Sequence, residues 1–276
     1  MRLIGKTLKL LLVFAFLTLV SQTGGILYLL WKPVATLMAR KGKGIATNKW
    51  FRRSCFILLF AGVNLFVLPF LAEPFDRKAL PIFASEAFPI KAGNVVYPIF
   101  NRHYVTPELY QTIQKVAVDL RAVNPDFTLV YLDANFPFIE DFPLLPHRSH
   151  NDGEKLDLCF VYQDEQEKPS FVCPGFLGYG HSEVPTSAEY DQPAVCTQKG
   201  YWQYSIMYTY FPEISTLKMA STHTKALIKA LANHPKVRKI FLEPHLKSRL
   251  GLSSYSKVRF HGCKAVRHDD HIHVEL

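Results

Sequence analysis

Acidic residues are almost absent from the first quarter of the 276-residue sequence. Residues 1–73 contain ten Lys and Arg side chains but only one acid, Glu73. The other 22 of the 32 bases are matched by the other 22 of the 23 acids, so the net charge of +9 belongs to this segment alone. Few aromatic residues accompany the bases, although nucleic-acid-binding grooves usually combine the two. We therefore expect no nucleic-acid partner.

Two apolar segments flank most of these bases. Residues 8–31 carry a single charge, on Lys9, and residues 54–72 carry none. Because about 20 apolar residues cross a bilayer, both segments are predicted to be transmembrane helices. Seven of the ten bases lie in the loop 32–53, and basic loops stay in the cytoplasm. The sequence thus predicts a membrane anchor over residues 1–75, with both chain ends on the outer side.

Cysteines at zinc-finger spacing are also missing. Of the five cysteines, Cys55 lies in the second apolar segment, and the others are Cys159, Cys173, Cys196 and Cys263. An exported domain can form disulfides, and four cysteines allow three pairings. The sequence leaves the pairing open and indicates a structural role.

A regular βαβ rhythm and internal repeats are absent from the rest of the chain. Residues 76–93 are mixed and contain Pro, which predicts a linker. Thr106 followed by Pro107 predicts a helix start. Further helices are predicted at 222–232 and 244–250, and strands at 94–100, 127–132, 156–162, 237–242, 258–260 and 271–276. This order indicates an α+β domain over 94–276, with a mainly antiparallel sheet and flanking helices. Residues 163–200 form a long insertion, and such loops are often functional.

Histidine is the most informative residue type in the sequence. Five of the eleven histidines fall in two short clusters: His147 and His150 before Asp157, and His268, His271 and His273 near the end. Residues two apart in a strand share a face, so His271 and His273 are expected to project together. His150 and Asp157 can converge on them from a loop and a strand. Two histidines and one carboxylate form a typical catalytic zinc set, with the fourth position left for water.

The pattern His-x-x-His-x-x-Gly-x-x-x-Asp, followed far downstream by His-Asp-Asp-His-x-His, resembles the penicillin-insensitive murein endopeptidases. These belong to the LAS group of zinc peptidases, with lysostaphin-type enzymes and D-Ala-D-Ala carboxypeptidases. The resemblance covers about residues 100–276 and includes a strand-then-helix segment at 237–247. It implies that His150, Asp157 and His273 bind Zn²⁺. It also implies that His271 is the general base, with His147 and His268 beside the metal to stabilise the oxyanion.

The resemblance implies a membrane-anchored zinc metallopeptidase that hydrolyses peptidoglycan peptides as a D,D-endopeptidase does. The expected location is the bacterial inner membrane, with the catalytic domain in the periplasm. One alternative is a carboxypeptidase or dipeptidase, in which Arg148 or Lys155 would hold the free carboxylate of the substrate. Another alternative is a non-catalytic module that binds cell-wall peptides. The sequence identifies no protein partner.

Overall fold

The computed structural model describes residues 2–175, 177–205 and 215–276, with sheets and helices mixed along the chain. The first helices are α1 (Arg2–Ser21), α2 (Gly24–Lys41), α3 (Lys49–Phe66) and α4 (Leu68–Ala72). The later helices are α5 (Val96–Ile99), α6 (Pro107–Val123), α7 (Gln192–Gln198), α8 (Ser221–Asn233) and α9 (Pro244–Arg249).

The single helix predicted over residues 8–31 is wrong, because the structure divides this segment into α1 and α2. The chain reverses at Gln22, whose φ of 64° lies in the left-handed region, and the two helices pack against each other as a hairpin. Gly24 makes this close packing possible, since a Cβ there would lie 2.6 Å from Ser21 Oγ. The apolar segment 8–31 therefore contains a turn, which is formed by polar and small residues around Gln22.

No single helix among the described residues is both long and apolar enough to be a clear membrane span. The helix α3 and the segment Leu68–Phe75 that follows it meet the criterion as a pair, bent by 48°. The two transmembrane helices predicted at 8–31 and 54–72 are therefore not confirmed.

Buried amides attach the turn of this hairpin to the rest of the molecule. Gln22 Oε1 accepts a hydrogen bond from the backbone N–H of Phe138 at 2.8 Å. Asn101 Nδ2 donates to the carbonyl of Ser21 at 3.0 Å. Burying amide groups is costly unless they are hydrogen-bonded, so these contacts fix the position of α1 relative to the sheet domain.

Eleven short strands are found in the described residues. They are β1 (Lys78–Ala79), β2 (Ile90–Ala92), β3 (Tyr104–Val105), β4 (Leu129–Tyr131), β5 (Lys155–Cys159), β6 (Tyr162–Gln163), β7 (Pro169–Ser170), β8 (Lys218–Met219), β9 (Lys239–Phe241), β10 (Val258–Arg259) and β11 (His271–Glu275). The main sheet has six strands in the order β10-β9-β11-β5-β4-β2.

Three of the five strand pairs in the main sheet are antiparallel, namely β11 with β5, β11 with β9 and β4 with β5. The two outer pairs, β2 with β4 and β10 with β9, are parallel. The sheet is thus mixed, with an antiparallel centre. The β11 strand lies inside this centre, and its apolar residues Ile272 and Val274 are fully buried, as their alternation predicts.

The amphipathic helices α6 and α8 pack against each other beside the sheet. The start of α6 is as predicted, since Thr106 Oγ1 accepts a hydrogen bond from the N–H of Leu109 at 3.3 Å. The buried face of α8 carries Leu227, Ile228 and Leu231. The α6 helix therefore begins where its cap predicts, and α8 forms where apolar spacing predicts it.

Two predictions between residues 76 and 100 are wrong. The segment 76–93, predicted to be a linker, contributes β1 and β2, and Ile90 is fully buried in the core. The strand predicted at 94–100 is the short helix α5. Asn94 Oδ1 accepts a hydrogen bond from the N–H of Val96 at 2.9 Å, and Pro98 within the run cannot donate to a sheet.

Two disulfides join loops to the domain. Cys159 at the end of β5 pairs with Cys173, and Cys196 in α7 pairs with Cys263. Cys173 and Cys196 thus attach the first half and the end of the predicted insertion 163–200 to the domain. It contains β7 and α7, while Phe176 within it lies outside the described residues.

Candidate metal centre

Asp157 and His273 are brought together by the register of the central strands. They are directly opposed across the antiparallel pair β5–β11, so their side chains leave the same face of the sheet. Asp157 Oδ1 lies 2.8 Å from His273 Nδ1, and both residues are buried. The sheet itself therefore fixes this carboxylate–imidazole pair.

His150 reaches the same point from the loop before β5. Its Nδ1 donates to the carbonyl of Ala134 at 2.9 Å, which leaves the lone pair of Nε2 directed at the cluster. The Nε2 atom lies 3.1 Å from His273 Nδ1 and 3.2 Å from Asp157 Oδ1. The loop turns at Gly153, whose φ of 84° favours glycine.

His147 borders the cluster on the other oxygen of the carboxylate. Its Nδ1 lies 3.2 Å from Asp157 Oδ2 and donates to Asp133 Oδ2 at 2.9 Å. His147, His150 and Asp157 are all buried, and one ligand atom from each lies within 4.8 Å of the others. This triad is able to bind a metal ion.

The distances also fit a tetrahedral ion held by His150, Asp157 and His273. Ligands bound at about 2.0–2.1 Å in a tetrahedron lie about 3.3 Å apart. The three separations among these side chains are 2.8, 3.1 and 3.2 Å. The structure therefore brings together all three predicted ligands, with His147 as a fourth donor beside them.

Burial and mutual charge act in opposite directions on these groups. Burial disfavours the ionised carboxyl of Asp157, but the surrounding imidazoles, His150 foremost, hold its pKa well below the usual range. Burial lowers the pKa of His150. Burial also opposes protonation of His273, yet the hydrogen bond of its Nδ1 to Asp157 and the carboxylate of Glu275, 3.4 Å from its Nε2, raise its pKa. The site thus combines one carboxylate with two imidazoles, and a cation that binds them competes with protons for the imidazole nitrogens.

His271 points a ring nitrogen into the open space beside the cluster. Its Nδ1 donates to Asp270 Oδ1 at 2.5 Å, so Nε2 carries the lone pair when the ring is neutral. Among the described residues Nε2 has no hydrogen-bond partner, and it lies 3.8 Å from Asp157 Oδ1. Burial opposes protonation of the ring, but Asp157 and Asp270 raise its pKa to about 9.

His268 is buried next to His271, with 4.9 Å between the ring centroids. Burial, together with the charge of His271, lowers the pKa of His268 well below its usual value. Its backbone N–H donates to Glu243 Oε1 at 3.3 Å. The His268 ring therefore lies in the same buried histidine cluster as His271.

Three polar residues of the site were missed by the sequence reasoning. The Tyr179 hydroxyl donates to Asp157 Oδ2 at 2.7 Å, and it comes from the long insertion that was expected to be functional. Asp133 holds His147 and is paired with Arg102, whose Nε lies 2.5 Å from Asp133 Oδ1. Burial opposes ionisation of Asp133, but Arg102 lowers its pKa to about 2. No sequence spacing relates Asp133 to the histidine clusters.

The two cations that were expected to bind a free carboxylate of the substrate, Arg148 and Lys155, do not lie in the candidate site. Arg148 is exposed, and Lys155 pairs with Asp152. Neither side chain lines the cavity of about 510 Å³ that opens beside His147 and His271. Two other cations, Arg102 and Arg267, line it, and each is paired with an aspartate.

No protein family model matches this sequence, and no curated protein matches it. The resemblance to the LAS group therefore rests on the two histidine motifs of the sequence alone.

Proposed function

We propose that this protein is a membrane-anchored zinc peptidase that hydrolyses amide bonds in peptidoglycan peptides. The observation that carries the proposal is the convergence of His150, Asp157 and His273, with ligand-atom separations of 2.8–3.2 Å. They lie beside His271 Nε2, for which the described part of the chain offers no hydrogen-bond partner. A structural zinc site is closed by four protein ligands, whereas a catalytic site keeps a position open.

His150, Asp157 and His273 would hold the zinc ion. An ion bound by three such ligands lowers the pKa of a water molecule and polarises the carbonyl of the bond to be cleaved. The hydrogen bond of His150 Nδ1 to Ala134 fixes its tautomer, and Tyr179 holds the second oxygen of Asp157. Partners of this kind orient the ligand atoms before the ion binds.

His271 is the proposed general base. Because a cation beside Asp157 disfavours the protonated imidazole, we expect His271 to be neutral in the metal-loaded protein despite its raised pKa. Hydrolysis adds one water across the amide, so Nε2 takes a proton from the water and returns it to the leaving nitrogen. Asp270 keeps Nδ1 protonated and orients the ring throughout.

His147 and His268 lie on either side of this base and are proposed to stabilise negative charge on the carbonyl oxygen. His147 is held by Asp133, and the cavity beside it is where a substrate carbonyl would enter. Donors placed where charge develops contribute more in a buried site than in water. We expect their loss to reduce the rate less than loss of a metal ligand.

A membrane attachment is supported by the surface of the first helices. Several large apolar side chains there are more than half exposed, among them Leu12, Phe16, Leu30, Leu58, Phe66 and Phe70. Apolar patches of this extent are typical of surfaces that contact lipid or protein. With the basic segment 32–53, from the second half of α2 to the start of α3, on the cytoplasmic side, the metal centre would face the periplasm of a bacterial cell.

An internal peptide bond is the preferred substrate over a terminal one. Arg148 and Lys155, which were expected to bind a free carboxylate, do not line the cavity, and Arg102 and Arg267 are paired with aspartates. The test is product analysis after mixing the zinc-loaded full chain with purified peptidoglycan sacculi. New amino and carboxyl ends from cross-links support the proposal, whereas binding to sacculi without new ends indicates a non-catalytic module.

A further inference from the structure

The cavity beside the metal centre has one polar end and one apolar side. His147, His271, Asp133 and Asp270 form the polar end. The cavity volume of about 510 Å³ lies within the range of small-molecule sites, about 300–1,000 Å³. The other long polar side chains of the lining, Arg102, Gln203 and Arg267, are bound by Asp133, the carbonyl of Lys264 and Asp269. Few lining groups therefore remain to hydrogen-bond a peptide backbone along its length. The remaining space fits an apolar moiety.

The apolar side is formed largely by α1, the first helix of the N-terminal hairpin. Phe16, Leu17 and Val20 line the cavity from this helix, and Phe100 and Leu145 face them from the sheet domain. The hydrogen bonds of Gln22 and Asn101 described above keep α1 in this position. The site is therefore built partly from the segment that was predicted only to anchor the protein.

The apolar side continues onto the exposed face of α1. Phe16 is 62% exposed although it lines the cavity, and Leu12, one turn earlier on the helix, is 61% exposed. A linear chain can pass along this face into the cavity without crossing a polar surface.

We propose that the site takes an acylated peptide held in a lipid bilayer, with the acyl chain against α1 and the amide to be cleaved beside His271. This inference rests on the proposed hydrolytic function and narrows its substrate class. For substrate added from water, burial of apolar surface gains about 0.8 kcal/mol per methylene, which corresponds to about fourfold in affinity. Longer acyl chains should therefore raise kcat/KM by up to about fourfold per added methylene until the cavity is filled.

The test uses the full chain in phosphatidylcholine nanodiscs with N-acyl-D-alanyl-D-alanine amides that bear acetyl, octanoyl or dodecanoyl groups. A dodecanoyl analogue with a terminal diazirine is also cross-linked to zinc-free protein, and the labelled residues are mapped by mass spectrometry. We expect labels on the α1 segment 16–20 and on Leu145, removed by excess dodecanoyl amide but not by acetyl amide.

Matched variants of α1 separate the cavity from general contact with lipid. Phe16→Ala should lower the cross-linking yield and kcat/KM for the dodecanoyl amide about tenfold, and Leu145→Ala should act similarly from the opposite side. Leu11→Ala, at a position that is 57% exposed but outside the cavity and on another side of α1, should leave both unchanged. Equal loss in Leu11→Ala and Phe16→Ala overturns the inference.

The outcomes distinguish this inference from the function on which it rests. Zinc-dependent hydrolysis that is equal for acetyl and dodecanoyl amides keeps the peptidase and overturns the acyl site. Specific cross-links without hydrolysis under any metal condition keep the acyl site and overturn the peptidase. Displacement of the diazirine probe by an unacylated Leu- and Phe-rich peptide, as effective as dodecanoyl amide, overturns the acyl occupant in favour of an apolar peptide.

Discussion

Asp157 is the residue on which the site depends, because its two oxygens are approached from four directions. His150 and His273 lie at Oδ1, and His147 and Tyr179 lie at Oδ2. A fully buried carboxylate needs compensating charge, which the imidazoles supply in part and a bound cation would complete. Histidine spacing predicted which side chains meet here. Asp133 and Tyr179 were not predicted because their positions depend on long-range folding that leaves no short-range pattern.

Removing single ligands should separate metal binding from folding. His273→Ala and Asp157→Asn are expected to lower zinc affinity at least tenfold, since each removes one of three ligand atoms or its charge. His261→Ala is the matched control, because His261 stacks on Phe241 at 3.9 Å and donates no ligand atom in this account. Competition with a zinc-binding dye gives the affinities. Unchanged affinity in His273→Ala, with a loss in His147→Ala, would assign the third ligand to His147.

Zinc binding should release protons, with a definite pH dependence. The pKa of His273 is raised in the ion-free protein, so part of the population holds a proton on this ring near neutral pH. A metal ligand must be deprotonated, and affinity should therefore fall as pH decreases through the neutral range. Titration calorimetry in buffers of different ionisation enthalpy measures the release. The number of protons that the wild type releases in excess of His273→Ala is the contribution of this residue. Equal proton release in both proteins would contradict its assignment as a ligand.

His271→Ala should retain zinc and lose turnover by about 10²–10⁴-fold, because a positioned general base contributes this much. Asp270→Asn should cost less, since it leaves the base in place and alters only its orientation. Initial rates on cross-linked muropeptides, with zinc content measured on the same samples, provide the comparison. Wild-type rates in His271→Ala would move the role of base to His268.

At the scale of elements, local signals predicted structure well where they were strong. The capped start of α6 and the alternating pattern of β11 are where the sequence places them. The strand predicted at 94–100 is wrong because Pro98 and the Asn94 cap outweigh the β-rich composition of this segment. The single helix predicted at 8–31 is wrong because apolar composition alone does not reveal the turn at Gln22. The insertion 163–200 has no hydrophobic periodicity. Its contacts depend on two disulfides, and the sequence alone does not determine how the four cysteines pair.

The disulfide between Cys196 and Cys263 closes a long loop around α7 and the approach to the last strand. Its loss should lower the free energy of unfolding by about 2–5 kcal/mol, mainly because the unfolded chain gains freedom. Denaturant unfolding of Cys196→Ser/Cys263→Ser against wild type, both zinc-loaded, measures this. Cys55→Ser is the control, because Cys55 forms no disulfide. A lower free energy of unfolding in Cys55→Ser alone would contradict the assignment of the Cys196–Cys263 disulfide.

At the scale of the whole molecule, the helical hairpin and the sheet domain form one site rather than an anchor and a separate enzyme. The α1 helix lines the cavity that reaches His271, and buried amides hold it there. The sequence did not predict this contact between α1 and the sheet domain, because residues 1–75 were assigned to the membrane alone. The basic loop still predicts the orientation of the chain, because it follows from charge asymmetry and not from helix bounds.

Topology has a direct test at this scale. A periplasm-active reporter fused after Leu276 should be active, and the same reporter fused within residues 41–49 should be inactive, because the loop 32–53 is basic. The reverse pattern would place the metal centre in the cytoplasm and remove cell-wall peptides from its substrates.

His150, Asp157 and His273 are proposed to hold a zinc ion with a position left open beside His271. Anomalous diffraction at the zinc edge from crystals of the zinc-loaded full chain locates the ion. We expect one peak about 2.0–2.2 Å from His150 Nε2, Asp157 Oδ1 and His273 Nδ1. A peak bound by four protein side chains, or one that His273 does not contact, would contradict it.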